Sequence, residues 1–259
     1  MTTIDNSMSK TILITGATSG FGQAMAEKFA SEKWDCIITG RRKEKLEVLA
    51  NDLAAKHNVS VLPLVFDVRH KAEVFEVLDN RNEHWKHVDL LVNNAGLAAG
   101  RDLFDEALIE DWDTMIDTNV KGLLYVSKAV IPEMIANGKG HIINIGSTAA
   151  KEVYKEGNVY CASKHAVAAI SEAQRIDLLR HKIKVTAIHP GAAETEFSLV
   201  RFKGDTEKAK AVYEGYQPLT AGDIANTIYY CATLPDHVCI NDLVITCTAQ
   251  ANSFYTYKE

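Results

Sequence analysis

The chain has 259 residues, of which 47% are hydrophobic and 24% charged, so it can bury a large core and is neither disordered nor collagen-like. Its 34 acidic and 28 basic residues leave a net charge of −6, which argues against a general nucleic-acid-binding protein. The five cysteines are odd in number and contain no CxxC pair, so they predict no disulfide framework and no metal site and favour a reducing cytoplasm. We find neither a secretory signal pattern nor an apolar run long enough to span a membrane, and we expect no membrane association.

Seven short runs rich in Val, Ile, Leu and Thr recur along the chain with little alternation, which is typical of strands covered on both faces. They occupy residues 10–16, 34–40, 59–68, 88–96, 140–147, 183–191 and 241–247. Longer amphipathic patterns predict helices between them, at residues 22–33, 45–57, 72–85, 111–138 and 160–182. Alternating strands and helices indicate right-handed crossovers and a parallel sheet. We therefore expect one Rossmann-like, doubly wound α/β domain of about seven strands over residues 1–259.

A glycine-rich turn joins the first strand to the first helix. Its glycines would allow a tight turn, close approach of the backbone to a pyrophosphate and close helix packing, and free N–H groups at the helix start would attract the anion. The spacing is GxxxGxG, not GxGxxG, and a turn without a ligand is the alternative. The candidate contacts are Gly16, Thr18, Ser19, Gly20, Phe21 and Gly22.

The second strand ends in Arg41 and Arg42, where a site for NAD usually offers an acidic side chain to the adenosine ribose. Guanidinium groups there would instead bind a 2′-phosphate, so the sequence favours NADP over NAD. The alternative is that both arginines merely begin a solvated helix. Asp67, after the third strand, could accept a hydrogen bond from the adenine amino group, and the turn at 93–96 would lie beside the cofactor.

Four polar residues could converge at the edge of the sheet where the strands end. Tyr160 and Lys164 are four residues apart in a helical pattern, which places them on one face, one turn apart. Ser147 follows the fifth strand, and Asn119 is an amide among apolar neighbours on the long preceding helix. Each has an ordinary structural alternative: a core tyrosine, a solvated lysine, a cap or a packed amide.

The residues between the sixth strand and the last helix, 192–217, interrupt the regular rhythm with polar and small side chains. Ligands of open α/β sheets bind beyond the carboxyl ends of the strands, so this segment is a candidate substrate loop or lid. A solvated connection without a role is the alternative.

Several motifs occur together and in order: TGATSGFG at 15–22, NNAG at 93–96, TNVKG at 118–122, YCASK at 160–164 and HPGAAET at 189–195. With them the chain resembles the short-chain dehydrogenase/reductase family over essentially its whole length. The resemblance implies an enzyme and a homotetramer. It adds to the cofactor contacts already named Val68, Asn93, Ala95, Gly96, Tyr160, Lys164, Pro190, Gly191 and Thr195.

The resemblance also implies catalytic roles. Tyr160 would be the general acid or base at the substrate oxygen, and Lys164 would stabilise its ionised form and hold the nicotinamide ribose. Ser147 would donate a hydrogen bond to the substrate oxygen and orient it. Asn119 would anchor a water molecule that relays protons.

Within the family the chain resembles the branch of NADP-dependent 3-hydroxy acid dehydrogenases, which implies a small hydroxy acid such as serine or allo-threonine as substrate. Arg201 is the candidate anchor for its carboxylate, although it could instead pair with Glu194 or Glu196 and shape the loop. Tyr154 is a second candidate substrate contact. Two other functions stay open: an NADPH-dependent reductase of neutral ketones or 3-oxoacyl thioesters, and a regulator that senses NADPH without turnover.

Overall fold

The structure is a computed structural model and describes residues 9–259; residues 1–8 of the expected single domain lie outside this range. Seven strands form one sheet, and all six neighbouring pairs are parallel. The strands are β1 (Thr11–Ile14), β2 (Asp35–Gly40), β3 (Val61–Val65), β4 (Leu90–Asn93), β5 (Gly140–Ile145), β6 (Ile183–Pro190) and β7 (Asp242–Ile245). Each lies within one of the seven predicted runs, so the expected α/β fold is confirmed.

Helices connect the strands and cover both faces of the sheet. They are α1 (Gly20–Ser31), α2 (Lys43–His57), α3 (Lys71–Asp79), α4 (Ile109–Ile116), α5 (Leu123–Ala136), α6 (Asn158–Leu178), α7 (Glu196–Arg201), α8 (Thr206–Ala211) and α9 (Ala221–Ala232). Within the described range, no helix is long and apolar enough to cross a membrane.

The first strand shows why both faces are buried. Ile12 and Ile14 belong to the core on one face, together with residues of α1, α2 and α9, whereas Leu13 belongs to the core on the other face, with residues of α3 and α5. Successive side chains of a strand point to opposite faces, so a strand that is apolar at every position needs helices on both sides.

The strand order is β3-β2-β1-β4-β5-β6-β7, with β1 paired to both β2 and β4. The chain therefore winds outward from β1 in one direction as far as β3 and then returns to the other side of β1 with β4. In open α/β sheets a ligand crevice forms at such a reversal, beyond the carboxyl ends of the strands. The topology alone thus places the binding site next to the glycine-rich turn.

Two predicted helices are interrupted. The pattern at 72–85 forms α3 and then a 3₁₀ turn, Glu83–Lys86, because the buried Arg81 side chain donates to the carbonyl oxygens of Leu78 and Trp85 at 2.8 and 2.9 Å. The pattern at 111–138 forms α4 and α5 joined by a wider π-helical turn, Asp117–Gly122. Such turns are often found at functional sites, and this one carries Asn119.

The segment 192–217 contains the short helices α7 and α8. Its two ends are joined at the base: the Leu219 amide donates to the Ala192 carbonyl at 3.0 Å, and the Glu194 amide donates to the Leu219 carbonyl at 2.9 Å. The segment therefore leaves the sheet and returns to it, with a hydrogen-bonded base and two short helices between its ends.

Candidate active site

A cavity of about 720 Å³ opens at the carboxyl ends of the strands. The glycine-rich turn and Arg41 and Arg42 line one end, and Ser147, Tyr160 and the segment 192–217 line the other. This volume lies within the range typical of cofactor and ligand sites. Of the residues predicted to contact cofactor or substrate, the cavity wall includes all except Gly22 and Asn93.

The glycine-rich turn has the backbone that its sequence predicts. Gly16 and Gly20 have φ angles of +69° and +52°, in the left-handed region that favours glycine. Gly22 lies behind the cavity wall, and a Cβ atom there would be 2.2 Å from the Gly16 carbonyl oxygen. The turn can therefore lie close to α1 only with glycine at position 22.

Asn94 supports this turn from β4, a role that the sequence did not indicate. Its Nδ2 donates to the Thr15 carbonyl at 2.8 Å, and its own amide donates to Thr15 Oγ1 at 3.0 Å. The preceding Asn93 lies away from the cavity and is buried, where it donates to Ser127 Oγ at 2.9 Å and to Asn144 Oδ1 at 2.8 Å. Of these two adjacent asparagines, Asn93 therefore lies inside the fold and Asn94 lies at the cavity, as expected where a strand ends.

Arg42 uses all three guanidinium nitrogens at the end of the crevice next to the glycine-rich turn. Its Nε and Nη2 donate to the side chain and carbonyl of Thr18, both at 3.1 Å, and Nη1 donates to Glu196 Oε2 at 3.0 Å. Arg41 is more exposed, and its Nη1 lies 3.5 Å from Asp67 Oδ2. Two guanidinium groups at the end of β2 form a suitable site for a phosphate.

Asp67 is held by a residue that the sequence analysis missed. Arg69 donates to its carboxylate from Nε at 3.0 Å and from Nη2 at 2.6 Å. Partial burial raises the pKa of Asp67, but these hydrogen bonds outweigh burial and bring the pKa to about 2. The carboxylate stays ionised and keeps a fixed orientation in the cavity wall.

Tyr160 and Lys164 lie on one face of α6, as the four-residue spacing predicts. Lys164 Nζ is 5.9 Å from the centroid of the Tyr160 ring and donates to the Ile145 carbonyl at 2.9 Å. Burial lowers the pKa of Lys164 to about 8, so at pH 7 the ammonium form still predominates. Burial also raises the pKa of Tyr160, although the Ser147 side chain and the Arg201 charge act in the opposite direction.

Ser147 follows β5, where its Oγ accepts a hydrogen bond from the Ala149 amide at 3.1 Å. His189, on the neighbouring strand β6, is fully buried behind it. The imidazole Nδ1 lies 3.1 Å from the Ser147 carbonyl oxygen, and Nε2 lies 3.1 Å from Asp242 Oδ2. The backbone of Ser147 is thus fixed against β6, and His189 has a structural role here.

Asn119 is buried, and protein groups occupy both of its amide hydrogens. Nδ2 donates to the Leu97 carbonyl at 2.8 Å and to Ser163 Oγ at 3.0 Å, while Oδ1 accepts from the Leu97 amide at 2.8 Å. Ser163 in turn donates to the Tyr160 carbonyl at 2.8 Å. The side chain joins the loop after β4 to α6 at Ser163, the residue that precedes Lys164.

Arg201 lies over the ring of Tyr160, with 5.5 Å between the guanidinium carbon and the ring centroid. Its Nη1 donates to Tyr154 Oη at 3.3 Å. Its Nε and Nη2 are buried and have no hydrogen-bond partner in the described part of the chain. Glu196 pairs with Arg42 and lies 3.8 Å from Lys45, and across residues 9–259 Arg201 forms no salt bridge with Glu194 or Glu196.

The C-terminal region also lines the cavity, through Gln250, Ser253 and Phe254. Gln250 Oε1 accepts a hydrogen bond from the Ala192 amide at 2.7 Å, and the Ser253 amide donates to a carboxylate oxygen of Glu152 at 2.8 Å. No motif indicated these residues. Only the fold brings the end of the chain back to the end of the cavity that Ser147 and Tyr160 line.

With this geometry in place, comparison with known proteins defines the class. A sequence model described as short chain dehydrogenase matches residues 10–205. The chain belongs to the short-chain dehydrogenase family. It is 47% identical over 231 residues to the NADP-dependent 3-hydroxy acid dehydrogenase YdfG of Salmonella typhi, covering 89% of this chain and 92% of that protein.

Two further similarities extend over nearly the whole chain. Sulfoacetaldehyde reductase 2 of Chromohalobacter salexigens is 46% identical over 249 residues, covering 96% of this chain and 98% of that protein. A solved structure, the closed form of serine dehydrogenase complexed with NADP+, aligns with a TM-score of 0.90 and 43% identity, covering 96% of this chain and 99% of that one. The names of these three proteins state a 3-hydroxy acid, sulfoacetaldehyde and serine as the compounds they act on, and the first and third also name NADP.

Proposed function

We propose that the protein is an NADP-dependent oxidoreductase that transfers a hydride between the nicotinamide and a small 3-hydroxy acid, serine-like or allo-threonine-like, or its carbonyl product. The observation that carries the proposal is the position of Arg201 at the Tyr160 ring, with a guanidinium edge that no protein group among residues 9–259 uses. This arrangement puts an anion anchor next to a proton donor and acceptor. The named relatives support the same substrate class.

The chain's own residues fit NADP along the cavity. The glycine-rich turn leaves room for a pyrophosphate at the start of α1, and Arg41 and Arg42 offer guanidinium groups for the 2′-phosphate. The remaining proposed contacts are Thr18, Ser19, Phe21, Asp67, Val68, Ala95, Gly96, Pro190, Gly191 and Thr195. When bound, the nicotinamide supplies the hydride acceptor or donor.

Tyr160 is the proposed acid and base of the reaction. During oxidation its phenolate takes the proton of the substrate hydroxyl, and during reduction the phenol returns a proton to the same oxygen. Because burial raises the pKa of Tyr160, the phenolate needs nearby positive charge, and the Lys164 ammonium is the protein's own source of it. Lys164 also has further N–H groups for the ribose hydroxyls.

Ser147 and Asn119 hold the reacting groups in place. We propose that the Ser147 hydroxyl donates to the substrate oxygen, from a backbone that His189 fixes to β6. Since the amide hydrogens of Asn119 are bonded to Leu97 and Ser163, we assign its side chain a positioning role. Any proton-relay water at Asn119 would have to use an acceptor oxygen of this residue.

Arg201 is the proposed carboxylate anchor, with Tyr154 beside it. Nε and Nη2 lie on the same edge of the guanidinium and match the two oxygens of a carboxylate. The phenol of Tyr154 holds the opposite side through Nη1, which fixes the plane of the group. The Nε and Nη2 edge of Arg201 is buried, so it must turn towards the cavity when the substrate binds. Movement of α7 in the 192–217 segment would allow this.

The similarity to a sulfoacetaldehyde reductase favours a second candidate substrate, a short hydroxysulfonate or its aldehyde. A sulfonate offers the same guanidinium edge two oxygens but adds a third and a tetrahedral shape. The two classes therefore differ in what the pocket around Arg201 must accommodate.

A substrate panel tests the proposal. Serine, allo-threonine, 3-hydroxypropionate, 2-hydroxyethanesulfonate, neutral alcohols and ketones, and a 3-oxoacyl thioester would each be assayed with NADP(H) and NAD(H). We expect NADP-linked activity to be highest with the 3-hydroxy carboxylates. Preference for neutral ketones or the thioester would instead support the reductase alternative, and cofactor binding without turnover on any compound would support the sensor.

Replacement of Gly22 by alanine is expected to weaken NADP binding by at least about tenfold. The new Cβ would lie 2.2 Å from the Gly16 carbonyl and 2.8 Å from Asn94 Nδ2, so the turn and α1 must separate. Isothermal titration calorimetry with NADP+ measures the effect. Gly222→Ala is the matched control, because an exposed Cβ there has its nearest neighbour at 3.6 Å. Equal affinity of the two variants would contradict the assigned cofactor site.

We also propose that the chain acts as a homotetramer of single-domain subunits in the cytoplasm, with 192–217 as the substrate lid. Contacts between copies of the chain would bury large apolar side chains that are exposed in one copy. These are Leu124, Ile176, Leu179, Val244, Tyr255 and Tyr257. Static light scattering is expected to give four times the 28.5 kDa chain mass. A mass equal to one chain would contradict the assembly.

The cytoplasmic assignment is supported by five free cysteines, four of them buried.

A further inference from the structure

Glu196 links the lid to the adenosine end of the cavity. It is the first residue of α7, and its carboxylate accepts from Arg42 Nη1 at 3.0 Å and lies 3.8 Å from Lys45 Nζ. Partial burial raises its pKa, but the hydrogen bond from Arg42 and the charges of Arg42 and Lys45 outweigh burial and lower it. The side chain is therefore an anion at neutral pH, bonded to Arg42, one of the two arginines proposed for the 2′-phosphate, and close to a further cation, Lys45.

A 2′-phosphate and Glu196 would compete for the same cations. Arg42 uses Nε and one hydrogen of Nη2 on Thr18, so the donors left for an incoming phosphate are Nη1, now bonded to Glu196, and the second hydrogen of Nη2. A phosphate carries up to two negative charges and three acceptor oxygens, whereas Glu196 carries one charge. The phosphate would take the cations and also repel the carboxylate.

The opposite end of the same short helix carries Arg201. Six residues, Glu196–Arg201, form α7, so a shift of its first turn moves its last residue as well. Arg201 has buried Nε and Nη2 atoms without partners in the described range, and its carbonyl accepts from the Gly100 amide at 3.1 Å. The helix thus joins a cation pair at the cofactor end to an unused anion-binding edge at the substrate end.

We propose that Glu196 is an electrostatic latch: it holds α7 on Arg42 and Lys45, and the 2′-phosphate of NADP releases it, which frees Arg201 to receive the substrate anion. The inference rests on the proposed function, since it takes the 2′-phosphate site at Arg42 as given. Two consequences follow. The first is that cofactor binds before substrate. The second is that NADP must displace Glu196 from Arg42, which weakens its binding, whereas NAD has no 2′-phosphate and does not.

The test uses adenosine 2′,5′-bisphosphate, which carries the 2′-phosphate without nicotinamide, and AMP, which differs from it only by lacking the 2′-phosphate. Hydrogen exchange is followed in peptides covering residues 196–202, and calorimetry gives the affinities. In the wild-type protein we expect the bisphosphate to speed exchange in this segment by at least about threefold and AMP to leave it unchanged.

The Glu196→Gln variant should exchange rapidly without any ligand. It should also bind the bisphosphate and NADP about two- to fivefold more tightly, with NAD affinity unchanged, because a partly exposed ion pair no longer competes. Glu194→Gln is the matched control. Glu194 is exposed, does not line the cavity and forms no ion pair within residues 9–259, so this variant should behave as the wild type.

The outcomes separate the latch from the function on which it rests. If the bisphosphate binds the wild-type protein no more tightly than AMP does, the 2′-phosphate site at Arg42 is wrong, and the latch is overturned with it. If the bisphosphate binds more tightly but exchange in α7 does not change, or if Glu196→Gln binds it no more tightly than the wild type, the latch alone is overturned.

Discussion

Replacement of Tyr160 by phenylalanine is expected to lower kcat for the preferred hydroxy acid by about 10²- to 10⁴-fold, the usual contribution of a positioned acid or base. The variant keeps the ring, which packs against Phe197 with 5.7 Å between centroids, and loses only the hydroxyl that exchanges a proton with the substrate. NADP affinity should stay within about twofold, because the ring and Lys164 remain in place. Steady-state kinetics and calorimetry measure the two quantities.

Tyr125→Phe is the control for the loss of a phenol. Tyr125 lies half-buried on α5, next to the core and outside the cavity wall, so its removal should leave kcat unchanged. Retention of more than about a tenth of wild-type turnover in Tyr160→Phe would contradict the assignment of Tyr160 as the acid and base.

Replacement of Arg201 by alanine is expected to lower kcat/KM for a 3-hydroxy carboxylate by about 10²- to 10⁴-fold, mostly through KM. Two charge-assisted hydrogen bonds to the carboxylate would be lost, and each contributes about 1.5–3 kcal/mol. A neutral alcohol of similar size makes no such bonds, so its kcat/KM should change by less than about threefold. Parallel kinetics on the two compounds measure the difference.

Arg201→Lys refines this result, since it keeps the positive charge but loses the two-nitrogen edge. It should recover only part of the activity on the carboxylate. Arg180→Ala, at an exposed arginine outside the cavity wall, controls for the loss of a surface charge. An equal loss on carboxylate and neutral alcohol in Arg201→Ala would show that Arg201 shapes the loop and does not bind the substrate anion.

The local parts of the site were predictable because they depend on short-range geometry. Tyr160 and Lys164 share a face since four residues make about one helical turn, and Gly16 and Gly20 have positive φ in the turn where a sharp reversal was expected. The strands were predictable for a similar reason. A run that is apolar at every position needs cover on both faces, and only a layered α/β arrangement supplies it.

Predictions of which side chains bond to each other were less complete, because these contacts join segments that are distant in sequence. Successive residues of a strand point to opposite faces of the sheet. A difference of one residue in where β4 ends therefore decides whether Asn93 or Asn94 faces the cavity. Sequence left Arg201 free to pair with Glu194 or Glu196. The fold instead places Glu196 at Arg42, 154 positions earlier in the chain, and Arg201 over Tyr160.

The sequence by itself determined the layered α/β fold, the glycine-rich turn, the cationic end of β2 and the spacing of the tyrosine and lysine, because each follows from neighbours within one or two turns of chain. Only the tertiary structure decided which charges meet. It bonds Arg42 to Glu196, ties Asp67 to Arg69 and brings Gln250 and Phe254 to the cavity wall. Electrostatic and hydrogen-bond energies depend on distance in space, and distance in space is set by how the whole chain folds.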